Sequence, residues 1–94
     1  MNTQNYPLMP QISRFFGIII SMFYDDHNPP HFHVQYNEDK AIVSIKELVV
    51  LQGKLSPRVL GLVVEWALQH QEELAENWVL MQEGKIFNKI APLQ

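Results

Sequence analysis

With 94 residues, 47% of them hydrophobic, the chain is sized for one domain with a single modest core and is too short to divide into two. It contains no cysteine, which excludes disulfides and thiolate metal centres and leaves imidazole and oxygen as the donors for any metal. The net charge of -3 argues against non-specific duplex binding, because proteins whose affinity rests on phosphate contacts are usually basic.

Met1 to Pro10, rich in Asn and Gln and carrying two prolines, reads as a lead-in. Residues 1–8 are expected to be a flexible extension and residues 9–94 the single domain. From Ile12 to Tyr24 the stretch ISRFFGIIISMFY is β-branched and aromatic. It is apolar on both faces from Phe15 onward, which predicts a central strand covered on each side, with Gly17 marking a bulge or a close approach. The longest apolar run, Phe15 to Ile20, falls far short of the roughly 20 residues that span a bilayer. No basic region followed by an apolar one opens the chain, so a cytoplasmic location is expected.

DDHNPP then supplies turn chemistry, since Asp and Asn bond to nearby backbone and Asn28 is pushed towards extended geometry by Pro29. His31 to Tyr36 alternates, placing His31, His33 and Gln35 on one face and Phe32, Val34 and Tyr36 on the core side. Asn37, Glu38 and Asp39 turn the chain, and Ala41 to Ile45 returns as the second strand of a hairpin. Glu47 to Leu55 is either a short fourth strand or an apolar loop closed by Gly53.

Ser56-Pro57 is a helix start, a hydroxyl cap followed by proline in the first turn. The helical pattern runs to about Glu83 and stops at Gly84. At about 100° per residue, Leu60, Val63, Val64, Ala67, Leu74, Trp78 and Met81 share one stripe, with Glu65, Gln69, Glu72 and Glu76 opposite. A straight helix of that length would reach about 40 Å, long for so small a domain, so a break is predicted between Gln69 and Glu73. Leu62, Trp66 and Leu80 form a second apolar strip. It lies under the N-terminal strand or the C-terminal tail, or else it serves a homodimer or partner interface. The tail can dock back through Phe87, Ile90 and Leu93. The fold class expected is thus α+β: an antiparallel sheet of three to four strands with a C-terminal helix, or a broken helix pair, packed on one face.

The chemistry concentrates in DDHNPPHFHV, which holds three of the four histidines. Imidazoles at i and i+2 of a strand point the same way, so His31 and His33 can grip one divalent transition metal, with His27 or Asp25 folded in across the turn. Alternatively, one neutral and one protonated imidazole provide acid-base catalysis at neutral pH without any cofactor. Cleavage of RNA by its own 2′-hydroxyl needs such a pair from His31, His33 and His27, together with a cation such as Arg14, Lys40 or Lys46 for the phosphate. Asn28 adds a polar contact, and Tyr24 can stack on a base. A third reading gives the histidines no chemistry beyond a solvated strand face and a polar turn. His70, at the edge of the helical stripe, is expected to be a hydrogen-bonded histidine bordering the core.

These residues, together with AIVSI, GKLSPR, VVEWALQHQEELAENW and IAPL, resemble a bacterial family of small proteins catalogued as a domain of unknown function, number 4160. The resemblance implies a toxin-antitoxin pair in which this chain is the toxin, acting on RNA or translation; with the strand histidines as acid and base, a metal-independent ribonuclease is one form this could take. A cognate small antitoxin-like protein would be its partner. The alternative is a non-enzymatic partner-binding or metal-binding regulatory module.

Overall fold

The computed structural model describes residues 10–94. The expected extension over residues 1–8 lies outside the described residues. Five strands, β1 (Gln11–Phe15), β2 (Ile18–Ser21), β3 (His31–Tyr36), β4 (Asp39–Ser44) and β5 (Val50–Gly53), precede two helices, α1 (Pro57–Leu68) and α2 (Gln71–Gln82). The strands form one sheet in chain order, every neighbouring pair antiparallel. The fold is α+β, and the sheet has five strands where three or four were expected.

One extra strand comes from ISRFFGIIIS, read above as continuous. Phe16 and Gly17 both take positive φ, 52° and 80°, so the chain reverses in two residues and Phe15 pairs with Ile18. Turns with two left-handed residues match the twist of a hairpin, and Asn-Gly is their usual signature. Phe in the first of those positions hides the signal, because only Gly17 adopts such φ without steric cost. The uncertain segment after Glu47 contributes β5. Gly53, at φ 80°, is required there: a Cβ would sit 2.2 Å from the Lys40 carbonyl oxygen.

The helical half breaks within the predicted window, between Leu68 and Gln71. Ser56 Oγ accepts from the Val59 N–H at 3.2 Å, and Pro57 opens α1. At the far end Lys85 N–H bonds Leu80 O and Gly84 N–H bonds Met81 O, the Schellman arrangement, with Gly84 at φ 71°. The break changes which residues are buried. Val59, Val63, Trp66 and Ala67 face the core from α1, and Leu74, Asn77, Trp78 and Met81 from α2. Leu60 and Val64 are only half buried, because they lie at the edge of the α1 face that Val59, Val63, Trp66 and Ala67 turn to the core.

The core lies between the helices and the sheet side carrying Ile18, Ile20, Phe32, Val34 and Val43. The tail closes it: Ile90 is buried and its N–H bonds Ile12 O at 2.9 Å. Asn77 is buried without penalty, since its Nδ2 donates to Asn88 O and its Oδ1 accepts from the Asn88 N–H, both at 2.8 Å. Among the described residues, no helix is long and apolar enough to cross a membrane.

Candidate functional site

The turn between β2 and β3 is tied to the end of α2, where Asp25 N–H bonds Met81 O at 3.3 Å and Gln82 Nε2 donates to Asp26 O at 3.0 Å. Asp25 takes positive φ, 55°, and the Asn28-Pro29 bond is cis. This path carries the Asp26 side chain back over the start of β3. Asp26 Oδ2 lies 2.8 Å from His31 Nε2 and 3.2 Å from His33 Nε2. Its other oxygen, Oδ1, accepts the His27 N–H at 2.8 Å. On the far side of the His31 ring, Nδ1 bonds Pro29 O at 2.7 Å.

Aromatic walls hold both rings. Trp78 meets His31 with centroids 5.1 Å apart, and Phe23 meets His33 edge-on at 4.5 Å. The two imidazoles are themselves 5.2 Å apart. His31 is buried, whereas His33 and Asp26 are partly open. For Asp26, burial is the largest influence and would raise its pKa. The His27 N–H, the His33 and His31 rings and the charge of His31 together outweigh it and hold the carboxyl below its ordinary value. Burial pushes the His33 pKa down; its hydrogen bond and attraction to Asp26 oppose this, repulsion from His31 adds to it, and the net shift is downward.

His33 also borders a depression of about 300 Å³ on the sheet face turned away from the core, with Phe23, Gln35, Lys40, Ile42 and Gln52 around it. The registers Arg14↔Ile19, Ile19↔Gln35 and Gln35↔Lys40 place those four residues in one cross-strand row on that face. Arg14 and Lys40 are both exposed, and among the described residues neither forms an ion pair. The row lies two residues along β3 from His33, roughly 7 Å at the usual rise.

Of the predicted site residues, the fold unites His31 and His33 with Asp26, and it leaves His27 and Asp25 out of the cluster. His27 is exposed and enters only through its backbone N–H. The carboxylate in the cluster is therefore Asp26, which the sequence reading passed over in favour of Asp25. Either can reach across a turn; in this one, with Asp25 at positive φ, it is the Asp26 side chain that returns over β3. Tyr24 is exposed and packs against Phe87. Asn28 is exposed in the turn, and Lys46 lies away from the depression, beside Pro30, Gln71 and Glu72.

The apolar strip divides in the fold. Trp66 is fully buried, and its Nε1–H donates to Ala91 O at 2.8 Å beneath the tail, so it offers no surface to a partner. Leu62 and Leu80 remain half exposed. His70 borders the core against Trp66 and bonds Glu73, remote from the cluster.

Compared with known families, residues 17–79 match the one described as Domain of unknown function (DUF4160). The chain belongs to this family. The DUF4160 match runs from β2 through most of α2 and so contains Asp26, His31, His33 and Trp78, while β1 and the docking tail lie outside it. No curated protein and no solved structure matches the chain.

Proposed function

We propose that this DUF4160 protein acts on RNA or on translation as the toxin member of a toxin-antitoxin pair, with Asp26, His31 and His33 as its reactive centre. The observation that carries the reading is the placement of His33. Asp26 and Phe23 hold its ring at the rim of a depression beside a row bearing Arg14 and Lys40. A lowered pKa keeps His33 neutral at pH 7 and suits it to act as a base. In this role it takes the proton of a ribose 2′-hydroxyl, whose oxygen attacks the neighbouring phosphorus. The 5′-oxygen leaves with a proton from the second imidazole, His31, whose buried Nε2 has to part from Asp26 to deliver it, and Arg14 and Lys40 attract the phosphate.

Expression of the chain in a bacterial host, alone and with its small partner, tests this reading. Growth should arrest with the chain alone and recover with His33→Ala, provided that circular dichroism shows the fold intact. Unchanged arrest by that variant would remove His33 from the mechanism. Incubation of RNA with purified protein, with and without a chelator, then separates cleavage from binding.

A second reading, a non-enzymatic partner-binding module, is supported by exposed Val49 and Leu51 at the β5 edge of the sheet. Edge strands with exposed apolar side chains pair readily with other chains. On this reading RNA stays intact, and substitutions at β5, rather than at His33, abolish the effect of the partner.

A further inference from the structure

We infer that Asp26, His31 and His33 form a binding site for one divalent first-row transition ion, zinc or ferrous iron, through Oδ2 and the two Nε2 atoms. The inference goes beyond the proposed action on RNA and does not depend on it; an ion on both Nε2 atoms occupies the lone pairs there, so the acid-base chemistry belongs to the metal-free protein.

The hydrogen bonds around His31 lead to it. A carbonyl oxygen only accepts, so the 2.7 Å contact with Pro29 O puts a proton on Nδ1. In the neutral ring Nε2 then carries a bare lone pair, and that lone pair faces the Asp26 carboxylate oxygen at 2.8 Å. Two acceptors at that distance repel unless something positive joins them, either a second proton on the ring or a cation. His33 Nε2 approaches the same oxygen at 3.2 Å, and the three donor atoms all lie within 4.8 Å of one another. For bonds of roughly 2.0–2.2 Å, neighbouring ligand atoms stand about 2.8–3.6 Å apart between octahedral and tetrahedral angles. Both contacts to Asp26 fall in that range, and the two nitrogens, within 4.8 Å of each other, have to draw together for one ion to hold both.

The surroundings of the three groups match what metal ligands require. A ligating histidine usually donates its other ring N–H to a carbonyl or carboxylate, which fixes the tautomer and aims the ring. Pro29 O does this for His31. The His27 N–H occupies Asp26 Oδ1 and leaves Oδ2 to bind through one oxygen. Trp78 and Phe23 supply apolar walls on the two imidazoles. Two nitrogens and one oxygen suit zinc or ferrous iron; magnesium and calcium prefer oxygen alone, and thiolate-seeking ions find no cysteine in this chain. With three protein ligands the ion keeps open positions, and His33 borders the depression on the open sheet face.

The full chain, stripped with a chelator, would be titrated with zinc chloride by calorimetry and with cobalt(II) chloride by visible spectroscopy. One ion per chain and the ligand-field bands of bound cobalt are expected. Histidine ¹⁵N resonances should shift at Nε2 of His31 and His33 and stay in place for His27 and His70. Asp26→Asn, nearly isosteric, and His33→Ala should weaken binding by more than the roughly 10- to 100-fold that loss of an outer partner costs. His27→Ala and Asp25→Asn should bind like the parent. Absence of stoichiometric binding overturns the site, as does binding lost with His27 or Asp25 and kept without Asp26. Bound metal, with RNA left intact by the metal-free protein, breaks the proposed action on RNA alone; RNA cleavage by a protein that binds no metal breaks the metal site alone.

Discussion

Among the described residues, two places set a histidine against a carboxylate, and they are built on different principles. His70 and Glu73 are three residues apart at the start of α2, and the Glu73 side chain is half exposed. That contact follows from helical spacing; the His70 ring otherwise packs on Trp66, and Glu73 faces solvent. Asp26, His31 and His33 meet across a turn, and their second polar atoms are held by the His27 N–H and Pro29 O. A pair that local geometry supplies stabilises little and organises nothing around it. A cluster that the backbone has to bend to assemble is the better candidate for function.

The contrast can be broken most visibly in cells. On the proposed toxin reading, His33→Ala should abolish growth inhibition on expression of the chain, while His70→Ala leaves it intact; equal effects on plating would erase the distinction. Next in size is Trp78→Ala, which removes both the wall behind His31 and part of the core. It should cost about 3–5 kcal/mol in urea unfolding, and a loss below 1 kcal/mol would mean that the ring contributes little packing. In metal-free protein, Asp26→Ala leaves both imidazoles without their partner and frees the His27 N–H. A loss of about 1–3 kcal/mol is expected from the same measurement. Smallest of all, Glu73→Ala should change stability by no more than about 0.5 kcal/mol, as loss of an exposed carboxylate contact usually does. A larger effect at Glu73 than at Asp26 would reverse the comparison.

Much of this fold follows from local pattern. Period-two alternation in HFHVQY placed Phe32 and Val34 in the core and turned His33 towards the other face. Ser56-Pro57 and Gly84 bounded the helical half, and its length alone demanded a break. The extra strands were harder to see, because a Phe-Gly turn carries none of the usual hairpin chemistry, and a four-residue edge strand has little pattern to read.

The sequence by itself determined the ingredients of the site: a rigid acidic turn, two imidazoles sharing one strand face, and no thiol to compete with them. Only the tertiary structure decided that Asp26, not Asp25 or His27, completes the cluster. The reason is physical. Strand periodicity fixes where side chains two residues apart point, whatever the rest of the chain does. The path of a turn, by contrast, depends on what anchors its ends, here Met81 and Gln82 of α2, more than fifty residues away in the chain.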